Sequence, residues 1–282
     1  MKMKTKQRIS RVFLYALVAI LVVFSLFPFF YGLSASLRTS SEFYQYAYPF
    51  SIKTLLPVEP TLEAYGRLFI DNEFMIPIIN TLIVVGVVII VGNIVNSVAA
   101  FAFAMFDFPF KKIIFALVVV SFMVPFEAIA LPLYQVADKL SLIETRSGII
   151  LPGIANGMVL FLFVQFFRDI PASFIEAARV DGATWPQIFA KILVPLSKTV
   201  FITASLMTFM NQWNSYLWPL LVARGKDIRT VQIALSSFQM ERSTDWAALY
   251  AGSMVSALIP VFMFLPFQKY FVQGISSSGV KG

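Results

Sequence analysis

The chain has 282 residues, of which 59% are hydrophobic and 13% charged, and it contains neither histidine nor cysteine. Its mean hydropathy is +0.80; typical soluble domains have about 25% charged residues, so the composition indicates a membrane protein. The two missing residue types exclude disulfides and any metal site or nucleophile system that depends on thiolate or imidazole groups.

Six apolar segments are each about 20 residues long, enough for a helix to cross a hydrocarbon core of roughly 30 Å. They predict an all-α membrane protein with six transmembrane helices in a single transmembrane domain over residues 1–282. The first segment is too long for a signal peptide and lacks a small-residue cleavage site, so we expect it to remain as an anchor. The predicted spans lie near residues 12–36, 77–105, 113–134, 147–167, 199–222 and 247–271.

The net charge is +7, but the positions of the basic residues favour a membrane topology over nucleic-acid binding. With the N-terminus inside, 13 of the 22 Lys and Arg residues fall on inner segments, which is the excess that the positive-inside rule describes. We therefore expect a multi-pass protein in the lipid bilayer with both termini cytoplasmic. The inner basic residues are Lys2, Lys4, Lys6, Arg8, Arg11, Lys111, Lys112, Arg168, Arg179, Lys191, Lys198, Lys269 and Lys281.

The two long outer segments, 37–76 and 223–246, are large enough to contact a partner outside the membrane. The first contains the aromatic sequence "FYQYAYPF", whose tyrosines suit either packing at headgroup level or such a contact. It continues with "PTLEAYGRLFI", which predicts a short surface helix after Pro60. The tyrosines concerned are Tyr44, Tyr46 and Tyr48.

Polar residues are few in the second and third predicted spans. We expect Asn93, Asn96 and Ser97 in the second span to pack against neighbouring helices. Glu127, beside Pro125, is the only carboxylate within a span. It fits a helix end or an interface; a proton relay is the alternative, although no second intramembrane acid accompanies it.

The inner loop between the fourth and fifth spans carries seven charges, each of which would cost about 2.5 to 3.5 kcal/mol to place near mid-bilayer. Its local signals predict a folded helix-turn-helix. Ser173 with Glu176, and Thr184 with Gln187, have the spacing of capping boxes, and Gly182 between them can end the first helix in a left-handed conformation. The charges are Arg168, Asp169, Glu176, Arg179, Asp181, Lys191 and Lys198.

The two halves of this loop offer different surfaces. In the second half, apolar residues recur on one helical face and predict packing on the membrane or against the protein's own underside. In the first half, Ala177 and Ala178 leave room for another backbone, with Glu176 and Arg179 beside them, and this predicts docking to a partner. The apolar stripe comprises Trp185, Ile188, Phe189, Ile192 and Leu193.

The fifth span contains a polar stripe at helical spacing. Its hydroxyls and amides, flanked by Trp213 and Trp218, suit a sugar, which offers hydroxyls for hydrogen bonds and C–H faces for stacking; interhelical hydrogen bonds are the alternative. Together with Glu127, the stripe is the candidate translocation path. Its members are Ser205, Thr208, Asn211, Gln212 and Ser215.

Glu176-Ala177-Ala178, followed by Gly182, Ile192 and Pro195, resembles the EAA loop of permease subunits in binding-protein-dependent ABC importers. The resemblance extends to the carbohydrate-uptake branch, and the Gly-Val-Lys-Gly tail is similar to that of the maltose-permease type of subunit. Val180 departs conservatively from the isoleucine usual in the family. Further matching stretches are "NTLIVVG" at 80–86, "AAFAFAMFDFPFKK" at 99–112, "VPFEAIALPLY" at 124–134, "WNSYLWPLLV" at 213–222 and "QKYFVQGISSSGVKG" at 268–282.

The resemblance implies a type I ABC importer permease bundle with a cytoplasmic coupling loop over 171–198, in which residues 173–195 contact the ATPase subunits. It further implies a heterodimer with a second homologous permease, an ATPase dimer, an extracytoplasmic sugar-binding protein and a bacterial cell membrane. The tail 274–282 either reaches the ATPase dimer or stays disordered. The implied ATPase-coupling residues are Glu176, Ala177, Ala178, Arg179, Asp181 and Gly182.

The chain contains no phosphate-binding sequence G-x-x-x-x-G-K-[ST], so we expect it to bind no cofactor and to be no enzyme, with ATP and Mg²⁺ bound by the partner ATPase. An ion-coupled secondary carrier is the alternative, but it would leave 173–195 without a role and would normally need several buried ionisable groups. "GLSAS" at 32–36 suggests an intramembrane hydrolase. Because the chain has no histidine, a hydrolase that uses a Ser-His dyad is excluded.

Overall fold

The computed structural model describes residues 2–46, 48–239 and 244–269, which are helices and connections apart from an isolated bridge between Gln239 and Thr244. The chain divides into two compact units: Met1–Phe74 with Leu235–Ile259 (unit 1), and Met75–Ala234 with Pro260–Gly282 (unit 2). A single domain over 1–282 stays a prediction. The tail 274–282, with its Gly-Val-Lys-Gly end, lies outside the described residues.

Unit 1 begins with α1 (Lys2–Ser36), which has 35 residues and is therefore about 50 Å long. Its apolar window within Ser10–Ser36 is covered by no other described part of the chain, as expected for a helix that faces lipid or a partner subunit. The rest of the N-terminal part consists of short helices: α2 (Ser40–Gln45), α3 (Ile52–Leu55), α4 (Glu63–Gly66) and a π-helical turn over Arg67–Asp71.

The short helix predicted after Pro60 is confirmed by α4 and the π-helical turn. Arg67 fixes it by pairing with Glu63 and, at 3.3 Å, with Asp245. Of the three tyrosines in the outer segment, Tyr44 donates a hydrogen bond to the carbonyl of Thr244, and the Tyr46 ring lies 5.1 Å from the Lys53 ammonium. Tyr48 is 88% exposed.

Unit 2 is organised around α5 (Met75–Met105), against which α8 (Arg146–Ile154), α9 (Gly157–Arg168) and α13 (Lys198–Trp213) pack. Gly92 of α5 permits a close approach of α8, because a Cβ there would lie 3.2 Å from the Ile154 carbonyl oxygen. The other helices wholly within unit 2 are α6 (Lys111–Ser121), α7 (Phe126–Lys139), α10 (Ala172–Val180), α11 (Trp185–Ile188), α12 (Val194–Leu196) and α14 (Leu217–Val222). Two helices have residues in both units: α15 (Val231–Ser236) and α16 (Trp246–Phe264), of which Trp246–Ile259 belongs to unit 1.

Three of the predicted spans are interrupted. The third is not the continuous helix predicted over 113–134, because α6 and α7 meet at an angle of 100°. Pro125 explains this break: it disfavours helical geometry at Val124 and has no N–H for an intrahelical bond. The fourth span breaks at Ala155 and Asn156 between α8 and α9, and the fifth stops at Trp213 before α14.

Four described helices, with the α8–α9 pair counted as one, are long and apolar enough to cross a membrane. The number rises to six if α6–α7 and the bent pair Trp185–Leu196 with α13 each count as one span. The all-α membrane architecture is confirmed. The last span is shorter than the predicted 247–271, since α16 ends at Phe264.

The part of the second outer segment that lies in unit 2 is held by specific hydrogen bonds. The Glu144 carboxylate accepts from the backbone N–H groups of Arg224 and Gly225, both at 3.0 Å. Asn80 donates to the carbonyl of Asp227 at 2.8 Å and accepts from Arg146 at 2.9 Å. These bonds fix residues 224–227 against α5 and α8.

Candidate functional site

The first half of the inner loop is helix α10, and its N-terminus differs from the prediction. The helix starts at Ala172 with Pro171 as N-cap and no side-chain cap, so Ser173 lies in the first turn and the predicted Ser173–Glu176 capping box is wrong. Pro171 accounts for the earlier start, because its fixed φ suits the helix entrance and its carbonyl accepts from the Phe174 N–H at 3.2 Å.

The end of α10 follows the prediction. Gly182 has φ +80°, the N–H of Ala183 donates to the Ala178 carbonyl at 2.9 Å, and the N–H of Gly182 donates to the Arg179 carbonyl at 3.1 Å. This pair of bonds is the Schellman motif, which needs a left-handed residue at the position of Gly182. The Arg179 guanidinium closes the turn from outside, 4.9 Å from the ring centre of Trp185.

The second half of the loop begins with the predicted capping box. The Gln187 Oε1 accepts from the Thr184 N–H at 2.8 Å, and the Thr184 side chain accepts in return from the backbone N–H of Gln187. Helix α11 continues through a π-helical segment, Phe189–Leu193, into α12.

The apolar stripe of this second half packs against the protein's own core. Of the two predicted alternatives, the membrane and the protein's own underside, the second is confirmed. Ile188 and Leu193 are fully buried, and Trp185 lies 4.7 Å from Phe106, measured between ring centres. Phe189 similarly lies 5.3 Å from Phe101. The loop is therefore attached rigidly to the end of α5.

All the coupling residues inferred from the sequence except one are exposed, either on α10 or in the turn that follows it. Ala178 is only 8% exposed and packs in the core beside Ile175, so the expectation that both alanines accommodate a partner is wrong for Ala178. Two further exposed residues of α10, Phe174 and Val180, were not predicted from the sequence; they are 50% and 88% exposed. Helical spacing could have found Phe174, since it is three residues from Ala177. The exposed candidates are Glu176, Ala177, Arg179, Asp181 and Gly182.

The three helix interruptions of unit 2 surround one cavity of about 790 Å³. Its walls are residues 121–127 at the α6–α7 break, 152, 153 and 155–157 at the α8–α9 break, and 211, 212 and 214–218 at the α13–α14 break, with Ile129 and Ile149 completing the lining. Non-helical backbone at membrane depth is tolerated where it lines a water-filled cavity or is buried in protein, and broken helices mark binding sites in many transporters.

The candidate path residues divide between this cavity and helix packing. Asn211, Gln212, Ser215 and Glu127 line the cavity. Thr208 lines a smaller one of about 90 Å³ that shares Asn211 and Gln212. Ser205 lines neither cavity. It accepts a hydrogen bond from Asn93 Nδ2 on α5 at 2.8 Å, as the alternative of interhelical hydrogen bonding predicted, and it donates to the Phe201 carbonyl of its own helix at 2.7 Å.

Glu127 lies in the first turn of α7, at the helix end that the sequence favoured. It is exposed, and no other acidic residue of the described ranges lines the cavity. A relay between two carboxylates within this lining is therefore not supported.

Aromatic residues border the cavity, but not the pair that was predicted. Trp213 is 1% exposed and stacks on Phe209, so its predicted contact with a ligand is wrong. Trp218 does line the cavity, and its Nε1–H donates to the Gly148 carbonyl at 2.9 Å. Phe122, Phe126 and Tyr216, none of which was predicted to contact a ligand, complete the aromatic border.

The asparagines of α5 hold the helices around the cavity. Asn96 Nδ2 donates to the Ile154 carbonyl at 2.8 Å, and its Oδ1 accepts from the Asn156 N–H at 3.0 Å. Ser97 bonds within α5, to the Ile94 carbonyl. Contact with neighbouring helices is thus confirmed for Asn93 and Asn96, whereas for Ser97 the support is its burial, at 1% exposure.

Known proteins are similar to this chain over nearly its whole length. The arabinooligosaccharides transport system permease protein AraQ of Bacillus subtilis (strain 168) is 34% identical over 91% of each chain. The lactose transport system permease protein LacG of Rhizobium radiobacter is 27% identical over 97% of each. The sn-glycerol-3-phosphate transport system permease protein UgpE of Escherichia coli O1:K1 / APEC is 29% identical over 95% of this chain and 96% of that protein.

A solved structure and a family profile also match this chain, and both are consistent with the permease relatives. A chain from the crystal structure of a bacterial ABC transporter involved in the import of the acidic polysaccharide alginate superposes with a TM-score of 0.81, at 26% identity, covering 94% of this chain and 98% of that one. The family profile described as "Binding-protein-dependent transport system inner membrane component" matches residues 92–277. Hydrolysis of ATP belongs to a partner ATPase in such systems. The chain therefore belongs to the inner membrane components of binding-protein-dependent transport systems, as a non-catalytic permease subunit of an ABC transporter.

Proposed function

We propose that this permease is the membrane-spanning subunit of an ATP-driven importer of oligosaccharides, and that it forms the translocation path with a second, homologous permease. The relatives named for arabinooligosaccharides and lactose support a saccharide as the cargo. In this proposal a binding protein delivers the sugar outside the membrane, and residues 173–195 dock on an ATPase dimer that binds ATP and Mg²⁺. Both termini are cytoplasmic, in agreement with the distribution of Lys and Arg.

The observation that carries the proposal is that two helices connect the inner loop directly to the cavity. Helix α9 begins beside Asn156, which lines the cavity, and ends at Arg168, close to the start of α10. Helix α13 begins at Lys198, after the loop, and its last turns present Asn211 and Gln212 to the cavity.

These two helices are packed so that they move with the loop. The rings of Phe163 on α9 and Phe201 on α13 lie 4.7 Å apart. Phe163 belongs to the core cluster that contains Ile188 and Leu193 of the loop, and Phe201 packs against that cluster. Because close-packed interiors transmit displacement, a partner that pulls on α10 shifts the cavity walls as a body. Rigid-body alternating access works in this way.

The test is a reconstituted complex of this chain with its partner permease, the ATPase and the sugar-loaded binding protein. We expect Glu176→Lys to abolish the stimulation of ATP hydrolysis by the binding protein, with uptake lost in parallel, because the reversed charge lies on the exposed face of α10. Asp107→Lys is the matched control: it makes the same charge change at a fully exposed inner position whose pair with Lys111 is worth little. Uptake that survives Glu176→Lys would contradict the proposed coupling.

A secondary carrier is distinguished by its energy source. In proteoliposomes, we expect uptake to stop when ATP is omitted and to continue when ionophores dissipate the ion gradients. The opposite result would establish ion coupling.

A further inference from the structure

The cavity of unit 2 has an asymmetric charge. Among the described residues, Glu127 is the only charged one in the lining, which contains no lysine or arginine from that part of the chain. The guanidinium groups of Arg146 and Arg224 donate to the neutral Asn80 side chain and to the Leu220 carbonyl. Lys139 is at the other end of α7, about 18 Å from Glu127 along the helix. The cations of α6, α9 and α13 likewise lie at the helix ends away from the cavity: Lys111, Lys112, Arg168 and Lys198.

The other polar groups of the lining are uncharged. Asn211 and Gln212 each offer an amide donor and an amide acceptor, and Ser215 offers a hydroxyl, which can do both. Such groups match the alternating donor and acceptor capacity of sugar hydroxyls. With about 790 Å³, the cavity is in the size range of small-molecule sites.

The position of Glu127 removes the remaining attraction for an anion. The N-terminal end of a helix carries a partial positive charge that favours anions, and α7 begins at the cavity. Glu127 lies in its first turn, so the protein's own carboxylate compensates this charge. A second negative charge brought beside it is repelled more strongly in a partly enclosed site than in bulk water.

Membership of the family leaves the charge of the cargo open, because the relatives include permeases named for uncharged sugars and one named for sn-glycerol-3-phosphate. From the lining, we propose that this cavity admits neutral saccharides and disfavours anionic ones, and that Glu127 is the residue that sets this preference. The inference rests on the proposed function, since it takes the cavity as part of the sugar path.

The test measures binding to the complete permease–ATPase complex in nanodiscs without the binding protein, so that the selectivity of that protein does not enter. Two trisaccharides serve as probes in isothermal titration calorimetry at millimolar concentration: arabinotriose, which is neutral, and trigalacturonic acid, which carries three carboxylates. We expect trigalacturonic acid to bind at least about tenfold more weakly to the unaltered complex, because like charges meet at Glu127.

Two variants assign the effect to one residue. Glu127→Gln keeps the size and hydrogen-bonding capacity of the side chain, and we expect it to bring the affinity ratio of the two probes to within about twofold. Asp138→Asn removes the same charge from the same helix at a position outside the lining, and we expect it to leave the ratio unchanged.

The outcomes separate this inference from the proposed function. Equal binding of both probes to the unaltered complex, or an unchanged ratio in Glu127→Gln, overturns the inference and leaves the importer assignment standing. Absence of binding by both probes overturns it as well, and uptake by the complex with its binding protein then decides separately whether the chain is a sugar permease.

Discussion

Asn96 and Asn156 are joined across the interruption of the fourth span: the side-chain carbonyl of Asn96 accepts from the backbone N–H of Asn156 at 3.0 Å. The amide nitrogen of the same side chain donates to the Ile154 carbonyl at 2.8 Å. One side chain on α5 therefore replaces intrahelical bonds on both sides of the break, where unsatisfied backbone groups would be costly. The break at the cavity wall is thus a specified feature of the fold.

Replacing Asn96 by leucine, which has a similar size, should be among the most destabilising changes in unit 2. It leaves a partly buried carbonyl and a partly buried N–H without their side-chain partner, and we expect the free energy of unfolding to fall by roughly 1–3 kcal/mol. Asn93→Ala removes a single interhelical bond and should cost only about 0.6 kcal/mol. Denaturation of the two variants in the same detergent measures the difference, and equal losses would contradict this account of the break.

The features of the coupling loop that the sequence predicted correctly are local. Gly182 and the Thr184–Gln187 pair act on backbone groups within a few residues, so their geometry follows from spacing alone. Ser173 had the same spacing as Thr184, but Pro171 started the helix earlier. The inward orientation of Ala178 depends on the core formed by other helices, which spacing within the loop does not show.

In the polar stripe of the fifth span, too, the spacing along the chain was predicted but the contacts with other helices were not. Ser205 and Gln212 share a periodic pattern, yet α5 covers the first with Asn93, whereas the second reaches the open cavity at the end of the helix. Likewise, "FMVPFE" contained the signal for the break at Pro125, but its high hydropathy favoured a continuous span. The cavity could not be predicted, because it requires three breaks from different spans to meet.

A substitution at Gly182 tests whether coupling depends on the backbone conformation of the turn after α10. A Cβ at this position would meet no atom within 4 Å, so the effect of Gly182→Ala comes from the φ of +80° and should cost about 1–2 kcal/mol. Because that strain acts on the Schellman turn, we expect weaker stimulation of ATP hydrolysis by the binding protein. Gly182→Asn, which tolerates the left-handed region better, should retain most of the stimulation; equal activity of the alanine variant and the unaltered protein would argue against a fixed turn.

Replacement by leucine should have different effects at Ala177 and Ala178: it should weaken ATPase association at the first and stability at the second. Ala177 is exposed, so Ala177→Leu should change the free energy of unfolding by no more than about 0.5 kcal/mol while reducing co-purification of the ATPase. Ala178→Leu overfills the core and should cost about 1–3 kcal/mol. Thermal unfolding of the permease without the ATPase, compared with co-purification of the complex, separates the two effects. Normal ATPase association in Ala177→Leu would mean that the exposed face of α10 is not the docking face.

Gly153 controls the space available to Gln212 at the cavity wall. A Cβ at Gly153 would lie 2.7 Å from the Gln212 Nε2 and 3.2 Å from a Val88 methyl group. The end of the Gln212 side chain can change its rotamer, so Gly153→Ala should displace it within the cavity that both residues line. We expect this displacement to slow sugar uptake. Gln212→Ala in the same chain removes the obstruction, and the double variant should transport faster than Gly153→Ala alone. Relative uptake rates of the four proteins form a double-mutant cycle with an expected coupling of at least about 0.5 kcal/mol. Strictly additive effects would show that Gly153 acts through Val88 and the packing of α5 instead.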